Sequence, residues 1–265
     1  MPEGDVLRRT ATRLDQALAG QPLTRAELRW PTAAGANLVG RVVLGTESYG
    51  KHLLTRLDDG RTLHTHLRMD GSWRIAPSGE RAAAARRPTV RAVLANARWT
   101  AIGDQLGMLD LVATRDERRL IAHLGPDVLA DELDLDEVLS RYAAQGPTPV
   151  AEVLLDQRVA AGIGTIFAAE SMHALRLWPW TPARGIQDPA ALYRVARELM
   201  QRSVQTARVP GRVHGRLRQP CLRCGTPIAV GQARRPPMER PIFYCPTCQR
   251  PSGAHVRHHH DDGNG

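Results

Sequence analysis

Four cysteines constrain this chain more than any other residues. Cys221 and Cys224, then Cys245 and Cys248, form two C-x2-C pairs separated by twenty residues. Each pair turns two thiolates toward one point, and a hairpin of the intervening length brings the pairs together. Four thiolates complete a closed tetrahedral shell, so the spacing predicts one structural zinc ion rather than a catalytic metal. Disulfide pairing is disfavoured in a reducing compartment, and no βαβ pattern surrounds the cysteines to make a redox motif. The predicted hairpin carries Arg234, Arg235 and Arg240. Guanidinium groups bind phosphate bidentately, so this module suits a DNA-grasping finger; a zinc ribbon for protein contact is the plainer alternative.

The charge has the same address. The formal net charge is +9, from 36 basic and 27 acidic residues. Residues 201–260 hold eleven arginines and a single acid, Glu239, which gives +10 and accounts for the whole excess. A strong basic excess points to a polyanionic partner, nucleic acid first. Only one of the 36 basic residues is a lysine, Lys51. A compact ammonium shifts its pKa where a guanidinium does not, which singles that position out. The chain has no run of eighteen apolar residues, and its start, MPEGDVLRRT, lacks the apolar stretch of a secretory signal. The expectation is a cytoplasmic, nucleoid-associated monomer without a membrane span.

Apolar periodicity predicts a helix over 5–19, followed by short strands over 38–44, 51–57, 62–67, 72–75, 90–94, 98–102 and 108–112. Helices are predicted over 131–145, 149–161, 165–176 and 189–206. This order implies an α+β chain. It begins with an N-terminal β-sandwich and flanking helix (1–125). A helical domain (126–210), a four-cysteine zinc-finger β-hairpin (211–250) and a disordered tail (251–265) follow. The segment 208–220 reads as a linker.

The N-terminus adds a chemical possibility. Initiator methionine is readily removed before a residue as small as Pro2, which exposes a secondary amine. An α-amino group titrates near 7.7–8, so a useful neutral fraction exists at neutral pH, whereas lysine near 10.4 needs a large shift first. Such an amine attacking a sugar C1′ gives an iminium that drains electrons, and Glu3 beside it is a carboxylate suited to proton transfer. Alone, Pro-Glu is also an ordinary helix entry.

Taken together, PEGD at 2–5, YGKHLL at 49–54, HLRMDGSWR at 66–74, HLGPD at 123–127, LLDQRVAAGIGTIFAAE at 154–170, Gly215-Arg216, the four cysteines and RPIFYCPTCQ at 240–249 resemble the formamidopyrimidine-DNA glycosylase and endonuclease VIII family over residues 1–250. The match looks closest to the actinobacterial endonuclease VIII type. The resemblance implies damaged double-stranded DNA as the partner, Pro2 as the nucleophile that forms a Schiff base, and Glu3 as the acid that assists sugar-ring opening. It also implies Lys51 and Arg240 as phosphate contacts and Met69 as a side chain inserted where the damaged nucleotide leaves. Residues 154–175 resemble the family's helix–two-turn–helix, where Gly162 and Gly164 let backbone amides approach a phosphate.

Two features depart from the family's purine-specific branch. The interval 179–221 is too short for its long base-covering loop, and Asp104-Gln105-Leu106-Gly107 stands where that branch carries an arginine and a phenylalanine. Both point to oxidised pyrimidines and abasic sites. Thr165 replaces the usual asparagine; its hydroxyl has a shorter reach toward phosphate, or caps the helix. That replacement also fits a second reading, a binder of damaged DNA that has kept the fold without the chemistry. A zinc-ribbon RNA-binding protein accounts for the charge and cysteines but not for the N-terminal start.

Overall fold

The computed structural model describes residues 2–79, 84–209, 211–234 and 238–251. Arg235 and residues 252–265 of the expected tail lie outside the described residues.

The first helix, α1 (Gly4–Leu18), buries Leu7, Ala11, Leu14, Ala17 and Leu18 along one stripe. It packs on a sandwich of two four-stranded sheets. One has the order β1 (Arg25–Leu28), β6 (Val90–Ala95), β7 (Trp99–Asp104), β5 (Ser72–Pro77). The other has the order β2 (Val43–Tyr49), β3 (His52–Leu57), β4 (Arg61–His66), β8 (Met108–Ala113). All pairings are antiparallel. Odd-numbered Leu53, Leu57, Leu63, Leu67 and Leu109 point into the core shared with α1. Register pairs His52 with His66 and His64 with Asp110, so these even-numbered residues share the outer face. One end of that face is partly covered. The short α2 (Arg118–Ile121) is held over it by Glu117, which accepts from both Arg56 Nη2 at 2.9 Å and Thr62 Oγ1 at 2.9 Å.

Two expectations on strands shift. The predicted strand at 38–44 is instead the irregular approach to β2, which begins at Val43, and β1 (Arg25–Leu28) was not foreseen. Leu38 and Val43 are buried while Val39 and Leu44 are exposed, and between them Gly40, at φ +83°, lets the chain reverse.

The second half is helical: α3 (Leu135–Ala143), α4 (Val150–Leu155), α5 (Thr165–Ala174) and α6 (Pro189–Thr206). The helix predicted over 149–161 stops at Leu155. Asp156 accepts from the Arg158 amide at 2.9 Å and closes a turn that a helix cannot continue. Phe167, Met172, Leu192, Tyr193, Ala196 and Met200 form this half's core. The halves meet where α1 lies on α6: Ser203 Oγ donates to Asp5 at 2.6 Å and Arg9 donates to the Ser203 carbonyl at 2.6 Å.

The cysteine module is a hairpin of β9 (Ala229–Gln232) and β10 (Pro241–Tyr244). It is bolted to the helical half rather than hanging from it. Ile242 is buried in the helical core. The Trp180 ring occupies the space where a side chain at Gly231 would sit, and its Nε1 donates to the Gln232 carbonyl at 2.9 Å. Tyr244 meets Trp178 and Trp180 edge-on. No described helix is long and apolar enough to cross a membrane.

Candidate active site and nucleic-acid interface

The start of the chain is drawn into the junction of the two halves by the residue after Pro2. Glu3 is 1% exposed. Its carboxylate accepts from the amides of Gly164 and Ile166, both at 2.8 Å, and of Phe167 at 3.3 Å. These are the unpaired donors at the N-terminus of α5, so Glu3 caps a helix that begins more than 160 residues later, with the helix dipole adding to the attraction. The helix cap residue is Gly164; Thr165 is the first helical residue, and the capping foreseen for it is performed by Glu3.

The glycines of this turn have a part in the fold itself. A Cβ on Gly164 would run into the Glu3 side chain, so only glycine leaves room for that carboxylate. Gly162, at φ +111°, offers its carbonyl to the Gly4 amide at 2.9 Å and its amide to Gln157 Oε1 at 2.9 Å. Gln157 turns its amino group to the Ile163 carbonyl at 2.8 Å and so braces the turn from both sides. This role was not anticipated; the one hint is that Gln157 stands five residues before the first glycine.

Lys51 arrives at the same turn from the sandwich. Its Nζ donates to the Ile163 carbonyl at 2.8 Å. Gly50, at φ +54°, packs against Ala161, and its amide is taken by the Asp127 carboxylate, which fixes the strand-loop that carries the lysine. Asp127 is a second anchor that sequence reasoning did not single out.

The electrostatics follow from burial. Desolvation holds the Glu3 carboxyl above the ordinary carboxylate range, opposed by the Lys51 ammonium and by the three amides. Burial lowers Lys51 to about 8; Glu3 resists the shift, and Arg240 and Arg234 add to it. Arg234 and Arg240 of the cysteine module are thus near enough to Lys51 to act on it electrostatically. Arg240 is half-buried and donates to the Glu239 carbonyl at 2.9 Å. Pro2 is half-buried next to Glu3. Pro2, whose nitrogen becomes a secondary amine only once Met1 is removed, stands near a protonatable carboxyl, an ammonium of reduced pKa and two guanidiniums. That set can attack an electrophilic carbon, move a proton and hold an anion.

Met69 lies apart from this cluster. It is 63% exposed at the tip of a turn closed by the Gly71 amide on the Leu67 carbonyl at 3.0 Å. Arg68 before it adopts φ +51°. An exposed unbranched apolar side chain on a fixed turn is available to another molecule.

The four cysteine sulfurs lie within 4.8 Å of one another, and none is in a disulfide. Cys224 and Cys245 are 3.4 Å apart and Cys221 and Cys248 are 4.0 Å apart. Sulfurs about 3.8 Å apart are what a tetrahedral ion with ~2.3 Å bonds requires. Backbone amides of Arg223 and Cys248 point at Cys221 and Cys245 sulfurs at 3.4 Å, as thiolates favour. The cluster fits one metal ion held by four thiolates.

Comparison with known proteins agrees with this geometry. The family model described as the formamidopyrimidine-DNA glycosylase N-terminal domain matches residues 1–110, and the one described as the H2TH domain of the same glycosylase matches 124–211. A Streptomyces coelicolor protein named "Probable endonuclease 8 2" is 41% identical over 96% of this chain and 97% of its own length. The Mycolicibacterium smegmatis "DNA-(apurinic or apyrimidinic site) lyase Nei2" is 36% identical over 95% of this chain and 100% of its own. Among solved structures, the MutM (Fpg) protein of Thermus thermophilus superposes with a TM-score of 0.75 at 30% identity, covering 94% of this chain and 98% of that one. Lactococcus lactis Fpg bound to DNA containing an AP site shares the fold, with a TM-score of 0.80 at 21% identity, covering 94% of this chain and 100% of that one. The sandwich, the helical half and the cysteine module are those of one lineage, and the chain belongs to the formamidopyrimidine-DNA glycosylase family.

Proposed function

We propose that this protein is a bifunctional DNA glycosylase and AP lyase. It removes oxidised bases, pyrimidines favoured, and then cuts the strand. The observation that carries this reading is Glu3, buried and tied to three amides of α5, which holds Pro2 at the junction that Lys51, Arg234 and Arg240 also face.

With Met1 removed, the lone pair of the Pro2 nitrogen forms a bond to C1′ of the damaged nucleotide. The bond from C1′ to the base breaks, and the base departs with a proton. Glu3, whose carboxyl is held above the ordinary range, is the group that protonates the opening sugar ring. The resulting iminium acidifies C2′, so the 3′ and then the 5′ phosphate leave by β- and δ-elimination, and water releases Pro2. Lys51, Arg234 and Arg240 hold the phosphates around the lesion, with Arg235 placed among them by the resemblance. Met69 fills the gap left in the stack, offsetting part of the few kcal/mol that flipping costs. Gly164 and Thr165 lie along the strand's path at the start of α5. One zinc ion, bound by the four cysteines, stiffens the hairpin and takes no part in the reaction. The units are those read from the sequence, 1–125, 126–210 and 211–250, acting as a monomer on damaged duplex in the cytoplasm.

The test is borohydride trapping with mature, metal-loaded protein on abasic duplex. A covalent adduct mapped to residue 2, and its loss in Pro2→Gly, is expected. Tight binding without adduct or nicking by protein with a free Pro2 overturns this reading in favour of a non-catalytic binder.

A further inference from the structure

A chain of hydrogen bonds runs across the outer face of the second sheet, beside Lys51. His52 Nδ1 lies 2.7 Å from His64 Nε2, and His64 Nδ1 lies 3.2 Å from Asp110 Oδ2. The His52 and His64 rings lie edge to edge, with centroids 5.0 Å apart and planes 11° from parallel. His66 and His123 meet His52 edge-on, at 4.9 Å and 6.3 Å. His64, in the middle of the chain, is 1% exposed, while His52 at one end and Asp110 at the other are half-buried and His123 is exposed, so the chain opens to solvent at His52.

The chemistry of the partners fixes the protons. An ionised carboxylate only accepts, so Asp110 requires a proton on His64 Nδ1. Neutral His64 then presents an acceptor at Nε2, which requires the proton of His52 to be on Nδ1. His52 Nε2 is left as a bare lone pair at the open end. A lone pair repels a phosphate oxygen. It attracts one only after taking up a proton, and the relay is built to keep that imidazolium oriented, with Asp110 balancing its charge.

We propose that His52 is a phosphate-binding residue that takes up one proton from solvent when duplex DNA enters the cleft, with His64 and Asp110 as the positioning residues that enforce this coupling. The inference rests on the DNA-binding part of the function proposed above. In the free protein His52 is neutral: burial, together with His64, His66, His123 and Lys51, lowers it to about 3. Burial lowers His64 against the pull of Asp110, and burial with Lys51, Arg68 and His64 lowers His66 to about 4. The Lys51 ammonium opposes a proton on His52, so an incoming phosphate is the missing counter-charge. Proton uptake on binding makes affinity fall as pH rises, up to the pKa His52 has in the complex.

The experiment is titration calorimetry of the zinc-loaded protein with duplex carrying a non-reactive abasic analogue. It is run at pH 6 in two buffers of different ionisation enthalpy, with anisotropy binding curves from pH 5.5 to 7.5. At pH 6 Lys51 is already charged, so it contributes little uptake. Wild type is expected to take up close to one proton more than His52→Gln, and to weaken up to tenfold per pH unit across the part of the range where His52 is uptake-linked. Asp110→Asn separates relay from scaffold. An amide can donate to His64 Nδ1, which reverses both tautomers and leaves neutral His52 with a proton on Nε2. Affinity at pH 7.5 should then be retained or raised while the pH slope is lost, and Asp110→Glu should keep the slope. Equal uptake in wild type and His52→Gln overturns the proposal, as does an Asp110→Asn protein that is weakened equally at every pH. Absence of any binding to the duplex ends both this proposal and the function it rests on, whereas binding without the extra proton ends this one alone.

Discussion

Lys51 and Glu3 reach the same three-residue turn from opposite sides: the ammonium holds the carbonyl of Ile163 at 2.8 Å, and the carboxylate holds the next amide, that of Gly164, at 2.8 Å. One comes from the sandwich and the other from the chain's start, and both are buried. Their charges support each other where either alone would be costly to desolvate.

The lowered pKa of Lys51 gives DNA binding an alkaline limit. A phosphate partner needs the ammonium, which free protein begins to lose above about 8. Affinity for non-reactive abasic duplex should fall as pH rises from 8 toward 9.5. Lys51→Arg, permanently charged, should flatten that decline; Lys51→Gln should weaken binding at all pH values and reduce the salt slope by about one. Stability runs the other way. Between about 8 and the ordinary lysine value near 10.4 the unfolded chain binds more protons, so folding gains as pH rises through that window. Fluorescence anisotropy and thermal melts over the same buffers check both signs.

Glu3→Gln keeps the shape of the α5 cap but removes its charge and one acceptor. Base release should fall about 10²- to 10⁴-fold, the usual worth of a positioned acid, while affinity for non-reactive duplex changes little. Single-turnover release of a damaged base, read beside binding, tests this; unchanged release removes Glu3 from the chemistry.

Gly164→Ala places a methyl group against the Glu3 carboxylate. Overpacking of this kind costs about 1–3 kcal/mol, and here it also displaces the residue that holds Pro2. The melting temperature should drop by a few degrees, with a disproportionate loss of borohydride adduct. A variant that is destabilised yet traps normally would show that the N-terminus does not depend on this contact.

Met69→Ala changes an exposed side chain and should leave stability within about 0.5 kcal/mol. Excision of a base from duplex should slow, because the emptied stack is no longer filled. Cleavage of an abasic site that needs less unstacking should slow less. Comparing the two substrates is the measurement, and an equal effect on both argues against a wedge.

Metal removal should act at a distance. Chelation frees the four thiolates and loosens the hairpin that aims Arg234 and Arg240 at Lys51. Affinity and strand cutting should fall together, and both should return on adding zinc, with one equivalent counted by elemental analysis. Because Ile242 and Trp180 tie the hairpin to the helical half, the melt of that half should shift as well.

Much of this was legible because it rests on short-range pattern. The α1 stripe, the alternation in β3, β4 and β8, and the C-x2-C pairs each announce themselves within a few residues. Strand β1, four residues long and edged by polar ones, carries too little periodicity to stand out. The early end of α4 depends on one Asp156 side chain bonding its own backbone, which composition does not reveal. At the site, Glu3 and Lys51 were visible as residue types in matching motifs, but their meeting at Ile163 and Gly164 is a contact across more than a hundred residues. Gln157, Asp127 and the His52–His64–Asp110 chain went unread for the same reason. His64 and His66 stand two apart on one strand face, yet nothing local says that His52 bonds to one and that Asp110 pairs across the next strand.

The capping of α5 by Glu3 also orders the protein's maturation in time. Ribosomes make residue 3 long before residues 164–167, so during most of synthesis the leading end has nothing to dock on. An aminopeptidase meets a loose terminus then and a half-enclosed one later. If Pro2 is the nucleophile proposed above, removal of Met1 is expected on the nascent chain, and a protein made with a bulky leader is expected to fold around a blocked amine.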